Sequence, residues 1–160
     1  MMQKTLMVYY SLTGVVDGAA HQLADRLGAD LFRLTPSTHY DHDMWRAWEQ
    51  AQTETAAHQL PTLTGTLPDV TAYDQIILGG PVWGYGVSNP VQAYLKQTDF
   101  QGKRVAAFWT YYDPDEKYES GLTAALQHAN YLAGLELPMS VLGNQQTLAQ
   151  TLDQWTQQLK

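Results

Sequence analysis

Ser11-Leu12-Thr13-Gly14 stands where a short apolar run, Thr5-Leu6-Met7-Val8-Tyr9-Tyr10, gives way to a helix-period pattern. Two hydroxyls and a glycine at a strand-to-helix junction form a cradle for an anion. The first amides of a helix lack intrahelical acceptors, and the aligned peptide dipoles leave that end partly positive. A phosphate set there is stabilised by both effects. Ser11 and Thr13 add side-chain donors, and Gly14 lets the backbone approach without a Cβ in the way. No Gly-Lys-Ser/Thr closes the loop and it holds a single glycine, so it is neither a Walker loop nor a dinucleotide fingerprint. A plain βα turn with Thr13 as helix N-cap is the alternative reading of the same residues.

A second segment points the same way. Tyr73-Asp74-Gln75-Ile76-Ile77-Leu78-Gly79-Gly80 reads as a buried strand, and it empties into Pro81-Val82-Trp83-Gly84-Tyr85-Gly86-Val87-Ser88-Asn89-Pro90. Aromatics on a Pro/Gly-rich loop are well placed to lie against a flat ligand, where offset stacking adds about 0.5–1.5 kcal/mol beyond burial. A phosphate cradle after one strand and an aromatic loop after another suit flavin mononucleotide (FMN), which is charged at one end and planar at the other.

With these residues in view, the chain resembles the flavodoxin family, and most closely a short bacterial branch of flavodoxin-like proteins. The matching stretches are Val8–Gly14, Tyr73–Gly84 and Asp99–Thr110. Their order and spacing fit over nearly the whole chain. The resemblance implies an α/β fold: a three-layer, doubly wound, five-stranded parallel sheet of order 2-1-3-4-5, in one domain over residues 1–160. It implies FMN as cofactor, held by Ser11, Leu12, Thr13, Gly14, Val15 and Val16 at the phosphate. Pro81, Val82, Trp83, Gly84 and Tyr85, with Thr110, Tyr111 and Tyr112, would hold the ring. Tyr85 is the expected stacking partner, with Trp83 either stacking or packing inward. The peptides of Gly84 and Gly86 would lie near the flavin N5, where a rotated carbonyl favours the one-electron-reduced form.

The chain departs from the family pattern in two loops. Val15 and Val16 replace the usual Asn and Thr, which removes a hydroxyl donor worth roughly 1.5–3 kcal/mol toward a charged group. Tyr111 and Tyr112 replace a Thr-Ser-Gly-Gly type sequence; they either stack on the ring or fill its site. Asp113, Asp115 and Glu116 follow them, where they would repel an anionic reduced flavin or simply form a solvated turn. The function implied is electron transfer. The alternatives are an FMN-dependent NAD(P)H:quinone or nitro oxidoreductase and a flavin-free interaction module on the same fold.

The elements that must position these loops follow from periodicity. The 160 residues include 44% hydrophobic residues, enough for one core. Strands are expected at 4–10, 30–35, 74–79, 104–110 and 137–142, with helices at 15–27, 42–57, 89–96, 120–133 and near the C-terminus. Alternating strands and helices argue a parallel sheet covered on both faces. Its switch point lies between the first and third strands, beside both candidate loops.

Sixteen Asp and Glu against nine Lys and Arg give a net charge of −7, which argues against a nucleic-acid surface. The absence of cysteine excludes disulfides, thiolate nucleophiles and iron–sulfur ligation. No stretch reads as a membrane span or signal peptide, so a cytoplasmic protein is expected, a monomer or weak homodimer. Its partner would be a redox protein or a small-molecule acceptor. His39-Tyr40-Asp41-His42-Asp43 has metal-like spacing but reads as a loop with Asp41 as helix N-cap, so no metal is expected. Trp45 and Trp48 read as helix packing. No general acid or base is required, and no catalytic residue is assigned.

Overall fold

The computed structural model describes residues 3–112 and 114–160. The strands are β1 (Thr5–Tyr9), β2 (Asp30–Arg33), β3 (Gln75–Trp83), β4 (Gly86–Val87), β5 (Arg104–Tyr111) and β6 (Asn130–Pro138). The helices are α1 (Val15–Leu27), α2 (Met44–Ala56), α3 (Asn89–Gln97), α4 (Tyr118–Ala125), α5 (Met139–Leu142) and α6 (Gln145–Gln158). The sheet order is β2-β1-β3-β5-β6, all parallel, with the two-residue β4 folded back antiparallel on the end of β3. Leaving β4 aside, this is the expected 2-1-3-4-5 order of a flavodoxin-like fold.

Strand alternation splits the core in two. Leu6, Val8 and Tyr10 point to one face with Ile76, Leu78, Val105 and Trp109, under α2, α3 and α4. Met7 and Tyr9 point to the other with Ile77, Ala106 and Phe108, under α1 and α6. Helix α6 presents Leu148, Leu152, Trp155 and Leu159 as one inward stripe, as its periodicity implied. Helix α1 ends at Gly28, whose φ of 62° gives the left-handed stop. Residues 59–72 wrap the surface, pinned by hydrogen bonds from Ser37 N–H to the Thr62 carbonyl and from Thr64 N–H to the Thr35 carbonyl.

Three expectations are corrected. The helix expected at 120–133 stops at Ala125, and the last strand runs over Asn130–Pro138, with α5 where the strand was expected to end. Leu122 and Leu126 do pack inward. Beyond them β6 carries an irregularity: Val105 pairs Tyr131 but Ala107 pairs Gly134, so one extra residue breaks the strand's alternation. That break let Ala129 and Leu132 read as the inward face of a continuing helix. Asp43, not Asp41, caps α2, accepting from the amides of Trp45 and Arg46 at 2.9 and 3.3 Å. Asp41 instead accepts from Asp43 N–H at 2.8 Å. Thr13 caps nothing; the residue preceding α1 is Gly14 at φ 98°.

Candidate functional site

Three junctions meet at the carboxyl ends of the central strands: β1 to α1, β3 to β4, and the end of β5. Between them lies a cleft of about 390 Å³. Of the residues expected to bind a ligand, Ser11, Leu12, Thr13, Val15, Val16, Pro81, Val82, Trp83, Gly84, Tyr85, Thr110, Tyr111 and Tyr112 all line it. Gly14 does not, although its backbone shapes the loop. Met44, Trp45, Trp48 and Met139 complete the wall.

The β1–α1 end presents donors to the cleft. Ser11 is buried, and its Oγ accepts from Gly14 N–H at 3.1 Å, which leaves the hydroxyl proton free to donate. Gly14 takes a positive φ that few L residues adopt. The amides of Val15, Val16 and Asp17 open the helix without intrahelical acceptors. Asp17 is a carboxylate in this first turn, but it is held away from the cradle: the Tyr9 hydroxyl donates to it and Arg33 Nη1 lies 3.6 Å off. Burial pushes the Tyr9 phenol up to about 12, and the Asp17 hydrogen bond and charge push the same way against the Arg33 charge.

The other end is aromatic. β3 runs through Trp83, further than its sequence pattern implied, because β4 pairs back on it: Val82 faces Val87 and Trp83 faces Gly86. The two residues between, Gly84 and Tyr85, sit at φ 56° and 67°. Two positive φ values in a two-residue hairpin are the mark of a type I′ turn, whose twist matches the strands. The Trp48 ring of α2 packs against Gly84, so closely that a Cβ there would collide with it. The Tyr85 carbonyl accepts from Lys117 N–H at 2.9 Å, which holds the turn from the far side.

Trp83 takes the inward option. It is buried, with Tyr10 and Tyr40 edge-on to its ring at 5.7 and 5.0 Å between centroids, and it shows one side to the cleft. Burial pushes the Tyr10 and Tyr40 phenols well above their ordinary value, and Tyr40 also donates to Glu54 at 2.5 Å. Tyr85 at the hairpin tip and Tyr112 on the opposite wall are 49% and 65% exposed, so both rings are free to meet a ligand.

Tyr111 and Tyr112 stand on the wall and leave the cleft open. The Tyr111 hydroxyl points to Glu136, 3.5 Å away, and burial with the charges of Asp115 and Glu136 raises its pKa. Asp115 is structural: it accepts from Trp109 Nε1–H at 2.5 Å, and its carbonyl accepts from Tyr118 N–H. Asp113 lies outside the described residues.

Trp45 corrects an expectation and Trp48 extends one. Trp48 packs against the core beneath α2 and also reaches Gly84 of the hairpin, whereas Trp45 is 71% exposed at the cleft's lip. Their spacing of three along α2 was visible in the sequence. That α2 overhangs the hairpin was not. Among the described residues no three His, Asp or Glu side chains converge as metal ligands, and His39 and His42 are exposed.

A doubly wound sheet with its cleft at the β1/β3 switch point defines the class of open α/β proteins whose ligands, where they bind, sit at strand carboxyl ends. The chain belongs to the flavodoxin family, whose family model matches residues 4–158. A Lactobacillus acidophilus flavoprotein crystallised with FMN superposes with a TM-score of 0.75 at 24% identity, covering 84% of this chain and 93% of that one. A Bacteroides uniformis protein described as a flavoprotein superposes at 0.82 with 24% identity, covering 98% and 99%. Two-electron-reduced Megasphaera elsdenii flavodoxin gives 0.56 at 15% identity, covering 94% and 98%. At these identities the likeness establishes the fold. No curated protein sequence matches significantly. Among the described residues no helix is long and apolar enough to cross a membrane.

Proposed function

We propose that the cleft binds FMN and that the protein transfers electrons through it. The phosphate end would be held by the Ser11 hydroxyl and the amides from Leu12 to Val16, the ring by the Pro81–Tyr85 hairpin and the Thr110–Tyr112 wall. The observation that carries this reading is the convergence of the three loops on one open cleft, anion-seeking at one end and aromatic at the other. Family membership and the FMN carried by the Lactobacillus acidophilus flavoprotein support it.

When bound, the flavin supplies the redox chemistry, taking up and releasing one or two electrons. The chain's own residues bind and orient. The helix N-terminus neutralises part of the phosphate charge. Trp48 fixes the hairpin against the ring site, while Tyr85 and Tyr112 cover ring surface and exclude water from it.

An absorption spectrum of the purified protein, followed by FMN titration, tests the proposal. A colourless protein that takes up no FMN refutes it, leaving the flavin-free module.

One observation favours a second reading, an FMN-dependent oxidoreductase acting on a small planar acceptor. Met44, Trp45, Tyr85 and Tyr112 are all exposed, and all four stand on this cleft. Such an apolar rim suits a flat, uncharged molecule, a quinone or nitroaromatic, approaching the flavin face. Steady-state NAD(P)H oxidation with a quinone separates the two. The oxidoreductase turns over alone, whereas a carrier requires a redox partner protein.

A further inference from the structure

We propose that Arg33 is a positioning residue for the phosphate end of the cleft, an inference that rests on the FMN reading above. Arg33 closes β2 and pairs in register with Tyr9. Its Nη2–H donates to the Ser11 carbonyl at 2.9 Å, and its Nη1 lies 3.6 Å from Asp17 Oδ1. Asp17 accepts from the Tyr9 hydroxyl. Tyr9, Asp17 and Arg33 thus form a brace along the outer side of the 11–16 loop.

The brace acts through peptide geometry. In a trans peptide the C=O and N–H point to opposite sides, and the described chain has no cis bond. Holding the Ser11 carbonyl on the Arg33 side turns the next N–H, that of Leu12, to the other side. Leu12 lines the cleft, and among the described residues its N–H finds no acceptor in the protein. Arg33 therefore points an unsatisfied donor toward the anion site.

The same guanidinium compensates the Asp17 carboxylate, which would otherwise face a phosphate dianion from the first turn of α1. Val16 carries no hydroxyl. This chain supplies through an oriented backbone amide, and through a charge on the neighbouring strand, what that side chain lacks.

The test compares FMN with riboflavin, which has the ring but no phosphate. Both are titrated into the flavin-free full-length protein, wild type, Arg33→Gln and Arg33→Lys. Arg33→Gln is expected to weaken FMN binding about tenfold and leave riboflavin binding unchanged, with Arg33→Lys recovering most of the loss. In isotope-labelled wild type, inorganic phosphate is expected to shift the Leu12 amide resonance. An Arg33→Gln protein that binds FMN within about twofold of wild type overturns the inference, since a lost charge-assisted contact costs more. Equal losses for FMN and riboflavin overturn it too, as would a Leu12 amide that phosphate leaves unmoved in the wild type, a readout that survives if the Gln variant fails to fold. A wild-type protein that binds neither flavin overturns the FMN reading itself.

Discussion

Gly14→Ala is the sharpest test of the proposed phosphate loop. Gly14 sits at φ 98°, and a Cβ built there meets nothing within 4 Å. Packing therefore adds no term, and the whole effect is backbone strain of about 1–2 kcal/mol for an L residue held in the left-handed region. That strain has two places to appear. If the loop keeps its shape, the flavin-free protein loses about 1–2 kcal/mol in urea unfolding and binds FMN as before. If the loop relaxes to negative φ, the peptide between Gly14 and Val15 turns and the Val15 N–H leaves the cradle. Stability is then spared, and FMN affinity falls about 5- to 30-fold. The two losses are linked through the same cycle, so their sum is expected at about 1–2 kcal/mol in either case. Urea denaturation of the flavin-free protein and fluorescence titration with FMN measure the two arms, with riboflavin as the phosphate-free control. A variant that loses neither stability nor FMN affinity refutes the claim that the positive φ matters. A variant that loses riboflavin and FMN affinity alike refutes the assignment of this loop to the phosphate.

Other perturbations probe the aromatic end and the core. Tyr112→Ala removes a ring that is 65% exposed, so its unfolding midpoint should match wild type while FMN and riboflavin binding each lose about 0.5–1.5 kcal/mol of stacking, read by parallel titrations. Trp48→Ala takes away the ring lying on Gly84; about 2 kcal/mol of stability should go with it, and amide exchange should quicken at residues 84–86, as hydrogen exchange by NMR would reveal. The Tyr9 phenol has a folded-state pKa of about 12 against an ordinary 10.0. Its neutral form is favoured by the fold, so its contribution is complete below the ordinary value and is lost as pH rises through the folded one. Urea midpoints should accordingly fall between about pH 10 and 12, with a shallower fall in Tyr9→Phe. A fall equally steep in Tyr9→Phe would assign the effect to other groups.

Most of the frame was legible in the chain because it rests on local rules. The alternation of Leu6, Val8 and Tyr10 with Met7 and Tyr9 identifies a strand buried on both faces, and the stripe on α6 needs only a period of 3.6. The last strand was misplaced because an extra residue near Leu132 breaks the period by which a strand is recognised. The hairpin at Gly84 and Tyr85 was readable as a loop but not as a turn. Its I′ geometry puts a tyrosine at positive φ, where sequence preference would put Asn or Gly. Pairing with β4 and the Lys117 amide holds it there.

The sequence alone picked out most of the residues that line the cleft, since a strand running into Ser-Leu-Thr-Gly and another into a Pro/Gly loop with aromatics are each contiguous in the chain. Tertiary structure decided what those residues are held by. Trp45 and Trp48 reach the cleft because α2 crosses over the hairpin, and Trp83 turns inward because Tyr10 and Tyr40 arrive from separate segments. Arg33 meets Ser11 and Asp17 only because β2 pairs beside β1. Contacts within one segment follow from its periodicity and turn chemistry, whereas contacts between segments depend on strand order and register, which no single stretch of residues encodes.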